Sequence, residues 1–318
     1  MNKTSTSKPH LSIIVISYQT RQMTLDCIQS IYDQTETPFE LIVLDNASTD
    51  GSAEAVADRF PNASLIAESS NHGFGPAHHI AMRHVSTDWI LLLNPDTVVL
   101  DHAIDRLFAF ARSRPDAGIW GGRTLNADLS LNPASCFGRM TLWSTISRVL
   151  GLNAIFRRSE FFNSEYFGDW PRDTVREVDI VSGCFLLIGK ETWDALGGFD
   201  DAFKMYGEET DMCLRSRALG CRPVVTPDAE IIHYGGASQA VRSEKMVRLL
   251  RAKVELINRH FPKWQRALGR AVFRLWPLSR LIATSVAGKV LRKPHLAETS
   301  RTWAEVWRKR SEWQNGIA

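Results

Sequence analysis

The sequence has few cysteines, no apolar run long enough to cross a bilayer, and no secretory signal. Its five cysteines are scattered and form no CxxC pair, which excludes a disulfide framework and offers no zinc pattern, so a reducing cytoplasm fits. Residues 1–10 lack the apolar stretch of a signal peptide. The runs LSIIVI and WILLL are far shorter than the roughly 20 residues that span a membrane. We therefore predict no transmembrane helix.

Two common nucleotide-binding motifs are also missing. No GxxxxGK[ST] loop occurs, and the segment at Gly73 and Gly75 lacks the third glycine and the acidic ribose-binding residue of a dinucleotide fingerprint. The composition is otherwise ordinary for a globular protein, with 44% hydrophobic and 23% charged residues, which excludes the disordered and collagen-like classes. A chain of 318 residues can bury a sizeable core.

Charge is distributed unevenly along the chain. Residues 1–241 hold 20 Lys and Arg against 30 Asp and Glu, a net charge of −10, whereas residues 242–318 hold 18 against 5, a net charge of +13. The C-terminal segment also holds five of the ten tryptophans. This division predicts an acidic body and a basic, Trp-rich tail with different partners.

Short apolar runs alternate with helical patterns from residue 11 onward, which is typical of an α/β fold with a parallel sheet. Several runs are apolar almost throughout, as strands covered on both faces must be. Residues 122–177 have weak periodicity and are expected to form an excursion or lid beside the sheet. Strands are predicted at residues 11–18, 40–45, 64–68, 89–93, 118–121, 178–188, 223–225 and 230–233.

Polar residues follow four of the predicted strands at the point where each strand ends. Ligands of open parallel sheets bind at the carboxyl ends of the strands. Each segment alone is also ordinary turn and helix-cap chemistry, but four in succession favour a ligand site. The carboxylate of Asp45 can accept from the N–H or O–H groups of a base or ribose. The residues at these ends are Ser17 and Tyr18, Asp45 and Asn46, Asn71 and Gly73, and Asn94 and Asp96.

Asp96 follows the most hydrophobic predicted strand, which puts one carboxylate at the rim of a buried sheet. Mg²⁺ takes one or two protein carboxylates together with substrate and water oxygens, so Asp96 is a candidate ligand for an ion that bridges phosphates. The alternative is a helix N-cap or a turn. His233, at the end of the last predicted strand, is either a second member of that site or a partly buried structural histidine.

Three carboxylates occur within four residues at the start of a predicted helix, residues 209–219: Glu208, Glu209 and Asp211. Acidic residues favour a helix N-terminus on dipole grounds alone. Their mutual repulsion also raises the proton affinity of at least one of them, which a general base needs. Arg215 is four residues beyond Asp211 and is expected to pair with it.

Over residues 10–235 these motifs, in this order and spacing, resemble family 2 glycosyltransferases of the GT-A type. The Asn-Pro-Asp segment is similar to that of bacterial rhamnosyltransferases of O-antigen, exopolysaccharide and cell-wall assembly. The matching segments are residues 15–18, 43–52, 71–75, 93–96, 197–200 and 206–215.

The resemblance implies a Rossmann-like, mostly parallel sheet with helices on both faces. It further implies an N-terminal tail (1–10), a nucleotide-sugar-binding half (11–121), an acceptor and catalytic half of the same domain (122–241), and a basic, helical, membrane-associating tail (242–318).

The resemblance also implies roles for individual residues. Asp96 would bind Mg²⁺ or Mn²⁺, although the usual Asp-x-Asp pair is Asn-Pro-Asp here, and His233 would contact the metal or the diphosphate. Glu209 matches the catalytic base, which is usually Asp, and Glu208 competes for that role. Asp211 would support the helix start or the acceptor. The nucleotide-sugar site would contain Ser17, Asp45 and Asn71 around the nucleoside, with Tyr18, Asn46, Gly73 and Asn94.

The implied reaction is an inverting transfer of a sugar, with rhamnose a candidate, from a dTDP- or UDP-sugar to a hydroxyl of a glycan or lipid-linked glycan in bacterial surface polysaccharide synthesis. One displacement needs one base and positive charge at the departing diphosphate. Two alternatives stay open. A sugar nucleotidyltransferase should carry a Gly-rich, basic loop near the first strand, and residues 17–21 lack that glycine content. The other alternative is a non-catalytic nucleotide-sugar-binding protein.

The basic tail contains a predicted amphipathic helix. Arg266, Arg270 and Arg274 recur on one face, with apolar side chains opposite. Such a helix either lies on an anionic membrane surface or packs on the catalytic domain with its arginine face in solvent. The five tryptophans favour the membrane, and no nucleic-acid-binding motif accompanies the arginines. We expect a cytoplasmic enzyme that is peripheral at the inner face of the plasma membrane.

Overall fold

The computed structural model describes residues 8–235, 242–291 and 294–317. The described residues form two compact units. The first, called the α/β unit, contains residues 8–137 and 171–235, and the second, called the helical unit, contains residues 138–170 together with the described residues from 242 onward.

All strands of the described chain lie in the α/β unit. They are β1 (Leu11–Ser17), β2 (Phe39–Asp45), β3 (Ser64–Ala67), β4 (Trp89–Leu93), β5 (Thr97–Val99), β6 (Ile119–Leu125), β7 (Leu131–Asn132), β8 (Cys136–Phe137), β9 (Arg176–Glu177), β10 (Ile180–Val181), β11 (Phe185–Gly189) and β12 (Val224–His233).

The α-helices are divided between the units. Those of the α/β unit are α1 (Arg21–Gln34), α2 (Ser52–Arg59), α3 (Phe74–Met82), α4 (Ala103–Ser113), α7 (Lys190–Leu196) and α8 (Glu208–Ala218). Those of the helical unit are α5 (Leu142–Leu150), α6 (Leu152–Ile155), α9 (Arg242–His260), α10 (Arg266–Leu291) and α11 (Pro294–Arg308).

The main sheet has the strand order β3-β2-β1-β4-β11-β6-β12-β5. Strands β3, β2, β1 and β4 are parallel, and β11 runs antiparallel between β4 and β6. Every residue of β1 is buried, because its apolar side chains are covered on both faces. The predicted α/β fold with a mostly parallel sheet is confirmed.

Two predicted strand boundaries are wrong. The predicted strand at residues 178–188 is divided at residues 182–184: β10 pairs with β8 in a separate two-stranded sheet, and β11 joins the main sheet. The two strands predicted at residues 223–225 and 230–233 are a single strand, β12, with an irregularity between Val225 and Glu230. Gly183 interrupts the apolar run in the first case, as glycine does where a strand bends or ends.

Strand β6 has two adjacent glycines where its neighbours approach most closely. A Cβ atom at Gly122 would lie 2.2 Å from the carbonyl oxygen of Ala229, in the irregular part of β12, and 2.6 Å from the ring of Phe185. A Cβ at Gly121 would lie 2.5 Å from a methyl group of Val181. No side chain fits at either position unless the neighbouring strand moves.

The helical unit has its own core, which consists of side chains from α9, α10, α11 and the segment that follows. A buried ion pair joins the 138–170 segment to this core: the guanidinium of Arg148 contacts the carboxylate of Glu165 and lies 5.0 Å from the ring centre of Trp276. Lys253 on α9 is 3.8 Å from the same carboxylate. The core residues are Val247, Leu250, Val254, Ile257, Phe261, Phe273, Trp276, Val306 and Trp313.

The predicted boundaries assign residues 122–241 to one half of a glycosyltransferase domain, but the structure divides this range between the two units. Residues 138–170 pack with the C-terminal helices instead, because the partners of Arg148 and Glu165 lie on α9 and α10. Weak periodicity in this segment gave no indication of long-range partners more than 80 residues away in the sequence.

Most of the tail tryptophans are explained by packing within the helical unit. Trp276 and Trp313 are buried, and Trp303 and Trp307 pack against the core, so Trp264 alone of the five is largely exposed. Their number is therefore not in itself an indication of a membrane. Of the helices in the described ranges, none combines the length and hydropathy needed to cross a bilayer.

The close approach at Gly122 generates a stability prediction. Gly122→Ala should destabilise the protein by about 1–3 kcal/mol or more, because the added methyl group overpacks the sheet against a backbone carbonyl. Gly189→Ala is the matched control, since its Cβ would meet only Thr192 at 3.8 Å. Urea unfolding of both variants measures the difference, and equal midpoints for the two would contradict the packing described for β6.

Candidate active site

The loops after β1 and β2 are tied together at the edge of the sheet. Ser17 and Asp45 are paired in the parallel register, and the Asn46 N–H donates to the Ser17 carbonyl oxygen at 2.8 Å. The Gln19 N–H donates to the Ser48 hydroxyl at 3.0 Å. These bonds hold two polar loops side by side, as the sequence predicts for adjacent parallel strands.

Asp45 is buried at this edge, and only one of its two carboxylate oxygens accepts a hydrogen bond within the protein. Its Oδ2 accepts from the Ser48 N–H at 2.9 Å, whereas Oδ1 has no hydrogen-bond partner. A buried acceptor without a partner is uncommon and costs free energy. A ligand that offers an N–H or O–H group would satisfy it. The hydroxyl of Ser17, in contrast, is 2.9 Å from that of Thr24 on α1 and is thus engaged within the protein.

The side chain of Asn46 connects the second strand to the loop after the third. Its Nδ2 donates to Oδ1 of Asn71 at 3.2 Å and to the carbonyl oxygen of Gly73 at 3.1 Å, and its Oδ1 accepts from the N–H of His72 at 2.9 Å. Both ends of the amide are used inside the protein. Its observed contribution is to hold the loop at residues 71–73 against the edge of the sheet.

Gly73 has a backbone conformation and surroundings that only glycine accommodates. Its φ is +86°, and a Cβ would lie 2.5 Å from the carbonyl oxygen of Lys204. The following N–H, that of Phe74, donates to the same carbonyl at 2.8 Å. Gly73 therefore allows the start of α3 to pack directly on the loop that precedes α8.

Asn94 and Asp96 lie where β4 ends. The backbone N–H of Asn94 donates to the carbonyl oxygen of Cys184 at 3.1 Å, and its side-chain Oδ1 is buried without a partner. Asp96 is buried, and its Oδ1 lies 3.4 Å from Nε2 of His233 at the end of β12. The structure thus brings together the two residues predicted to bind a metal.

The environment of His233 favours its charged form. Burial by itself lowers the pKa of the imidazole, but the neighbouring Cys184 and Asp96 outweigh burial and raise the pKa to about 10. Among the described residues, no group of three His, Cys, Asp or Glu side chains is arranged to hold a metal ion. A metal at Asp96 would therefore need further oxygen ligands from a substrate or from water.

The acidic segment begins α8, as predicted, immediately after Gly207, whose φ is +94°. Glu208 is buried, and its Oε2 has no hydrogen-bond partner. Burial, reinforced by the negative charge of Glu209, raises the pKa of Glu208 well above its usual range. Glu209 is only partly buried, so of the two carboxylates it is the more accessible to a substrate.

Asp211 has a structural partner. Its Oδ2 accepts from Nε of Arg215 at 2.6 Å, which is the predicted pairing between residues four apart on a helix. Arg215 also donates to the carbonyl oxygens of Leu196 and Gly198 at 2.7 and 2.8 Å. The pair fixes α8 against the turn at residues 196–198.

Residues 183 and 184 connect the base candidate to the metal candidate, and no sequence motif predicts this position. A Cβ at Gly183 would lie 3.6 Å from Cβ of Glu209. The carbonyl oxygen of the next residue, Cys184, accepts a hydrogen bond from the Asn94 N–H, and the Cys184 side chain helps to raise the pKa of His233. The only feature of the sequence that marks this position is the segment Ser-Gly-Cys, which interrupts an apolar run. Tyr18 and Asn71 are more exposed members of the same sheet edge.

Comparisons with known proteins agree with this arrangement. The family described as "Glycosyl transferase family 2" matches residues 12–155, which include the ends of β1, β2 and β4.

Two curated relatives act on sugars. An N-acetylglucosaminyl-diphospho-decaprenol L-rhamnosyltransferase of Mycobacterium tuberculosis is 27% identical over 235 residues, which cover 70% of this chain and 76% of that protein. The rhamnosyltransferase WbbL of Escherichia coli K12 is 28% identical over 171 residues, 51% of this chain and 61% of the relative.

A solved structure has the same fold at low identity. The mannosyltransferase PcManGT of Pyrobaculum calidifontis, determined in complex with GDP-Man and Mn²⁺, superposes with a TM-score of 0.59 at 16% identity and covers 97% of this chain and 88% of that one. The family model, the curated relatives and the solved structure are all glycosyltransferases by name. This chain is therefore a glycosyltransferase that is similar to family 2 glycosyltransferases over residues 12–155 and to bacterial rhamnosyltransferases.

Proposed function

We propose that the chain is an inverting glycosyltransferase that moves a sugar, rhamnose in particular, from a dTDP- or UDP-sugar to a hydroxyl of a lipid-linked glycan in bacterial surface polysaccharide synthesis. The observation that carries the proposal is the sheet edge that holds Asp45, Asn94 and Asp96, which residues 183–184 connect to the start of α8. Two curated relatives are rhamnosyltransferases, and one of them is named for a diphospho-decaprenol acceptor. These names support the choice of rhamnose and of a lipid-linked acceptor.

In this proposal residues 11–121 bind the donor. The free Oδ1 of Asp45 accepts from the base or ribose, and it is already buried and held by the Ser48 N–H. Ser17, Tyr18 and Asn71 border the same nucleoside site. Asn46 and Gly73 act through the loop that they hold, since the amide of Asn46 is fully engaged within the protein.

The proposed cofactor is Mg²⁺ or Mn²⁺, and the donor atoms at the end of β4 fit such an ion. The Asp96 carboxylate and the unpartnered Oδ1 of Asn94 are the oxygen ligands that these ions prefer. His233 is next to Asp96, and in its charged form it is proposed to contact the diphosphate; it could bind the metal only in its neutral form. When bound, the ion would supply positive charge against the departing diphosphate. The manganese of the Pyrobaculum structure supports a metal in this fold.

Glu209 is the proposed catalytic base. Its carboxylate takes the proton of the acceptor hydroxyl while the acceptor oxygen forms a bond to the anomeric carbon and the bond to the diphosphate breaks. One displacement on one face of the sugar inverts the anomeric configuration. Glu208 is less suited to the role, because burial raises its pKa and favours the protonated form, which cannot accept a proton.

Asp211 supports the position of this base without contacting the substrate in the proposed mechanism. It is bound to Arg215, which in turn is anchored by two backbone carbonyls. The proposed location is cytoplasmic, at the inner face of the plasma membrane, where a lipid-linked acceptor meets a soluble sugar nucleotide. No nucleic acid has a part in this proposal.

The assignment of the base predicts different effects for the two adjacent glutamates. Glu209→Gln should lower the rate of transfer by about 10²–10⁴-fold, which is the usual contribution of a general base, and should leave donor affinity nearly unchanged. Glu208→Gln is the matched control and should retain most of the activity. Steady-state rates and donor binding by calorimetry test both variants. Loss of activity in the Glu208 variant alone would move the base to that residue.

The assignment of the metal predicts a change in donor binding. Asp96→Ala should weaken donor binding in the presence of Mg²⁺ or Mn²⁺ by at least about tenfold, because the ion keeps no protein carboxylate. Asp116→Ala, at an exposed carboxylate of the same unit, should have no effect. Donor titrations with metal and with EDTA are the measurement, and a wild-type affinity that does not respond to EDTA would remove the metal from the mechanism.

A further inference from the structure

Helix α10 presents a continuous apolar stripe to solvent. The side chains of Trp264, just before the helix, and of Leu268, Leu275, Ile282 and Val286 within it are between 48% and 78% exposed. They recur every three to four residues or at multiples of that spacing, and therefore lie along one face. At about 1.5 Å per residue, the stripe extends over roughly 30 Å. Scattered exposed apolar residues need no explanation, but a continuous stripe of this length does.

The arginine face of the same helix is turned to the protein instead. Arg266 donates to the carbonyl oxygens of Phe261 and Arg259 at 2.9 and 3.0 Å. Arg270 donates to Asn258 at 2.8 Å, and Arg274 donates to the carbonyl oxygen of Gln314 at 3.1 Å. Sequence periodicity predicts two opposite faces, and these hydrogen bonds decide which of them is available to a partner.

The charge around the stripe is of one sign. Helix α10 contains four arginines and one lysine and no acidic residue. The sequence segments of the helical unit, residues 138–170 and 239–318, hold 22 Lys and Arg against 8 Asp and Glu, a net charge of +14. A second copy of this chain would bring an equal positive charge to the same face. An anionic surface, in contrast, is attracted to it.

A second exposed apolar set in the helical unit has the composition of a membrane interface. Trp143, Ile155, Phe156 and Phe161 are all at least 37% exposed. The ring of Trp143 lies 5.0 Å from that of Phe161, and two exposed arginines, Arg157 and Arg158, follow Phe156 in the sequence. Aromatic rings next to basic side chains are enriched where proteins meet lipid headgroups.

We propose that the apolar stripe of α10, and not its arginine face, is the surface by which this protein lies on an anionic lipid bilayer. Leu268, Leu275, Ile282 and Val286 enter the boundary between headgroups and acyl chains, with Trp264 at the end of the stripe. The positive charge of the helical unit provides the longer-range attraction. The proposal rests on the proposed function only in that a lipid-linked acceptor would be located in the membrane on which the enzyme lies.

The test is binding of the full chain to vesicles in the absence of any substrate. Vesicles of phosphatidylcholine with about one third phosphatidylglycerol should bind the wild-type protein, and vesicles of phosphatidylcholine alone should bind it more weakly. The triple variant Leu268→Ser, Leu275→Ser, Ile282→Ser should lose at least about tenfold in affinity for the anionic vesicles, because three aliphatic side chains that enter the bilayer are removed from the contact.

The matched control is Leu129→Ser, Val175→Ser, Leu219→Ser, which changes three exposed aliphatic residues of the α/β unit. It should bind vesicles as the wild type does. Both triple variants should keep the wild-type unfolding midpoint, since none of the six side chains is buried. Both should also turn over a water-soluble acceptor at the wild-type rate, because that reaction does not need the membrane.

Wild-type vesicle binding by the stripe variant, or absence of binding by the wild type itself, would overturn the proposal. A wild-type dimer in sedimentation velocity that the stripe variant converts to monomer would assign the stripe to self-association and would overturn it as well. Failure of the proposed function is distinguishable from these results. In that case sugar transfer is absent with any acceptor, while vesicle binding still depends on the stripe.

Discussion

Parallel backbone pairing between β1, β2 and β4 determines where the candidate active-site groups lie. The register pairs Ser17 with Asp45 and Val15 with Leu93, so the three strands reach the same edge together. Each strand is buried and apolar, and the first polar residues that follow it are therefore delivered to that edge. Hydrogen bonds between the loops, above all those of the Asn46 amide, then fix the positions of side chains that the strands bring close.

The second half of the site depends on a different constraint, which is close approach of backbones. Gly73 contacts the Lys204 carbonyl, and Gly183 lies against Glu209. Arg215 ties the start of α8 to the turn at residues 196–198. The start of α8, which holds the candidate base, is thus positioned by glycines and by the ion pair of Asp211 with Arg215. The carboxylate of Glu209 is held next to a neighbour, Glu208, whose pKa is raised by burial.

Much of this arrangement could be predicted from the sequence, because apolar runs and the polar residues after them are local signals. The first four strands and the pairing of Asp211 with Arg215 follow from such signals, whereas the sequence left His233 open as either a partner of Asp96 or a structural histidine. The division at Gly183, the irregularity in β12 and the assignment of residues 138–170 to the helical unit depend on distant partners, which are Cys136, Gly122 and Lys253 respectively. Helical periodicity likewise predicts that α10 has two faces, but hydrogen bonds from its arginines to α9 and the C-terminal segment decide that the apolar face is the exposed one.

In the proposed mechanism a single base on α8 performs one displacement at the anomeric carbon of a nucleotide-bound sugar. The most direct measurement is proton NMR of the first product formed by the purified chain with a panel of dTDP-, UDP- and GDP-sugars and a lipid-linked acceptor. The proposed mechanism predicts turnover of a dTDP- or UDP-sugar and a product whose anomeric configuration is opposite to that of the donor. A product with retained configuration, or donor binding without any transfer, would contradict it.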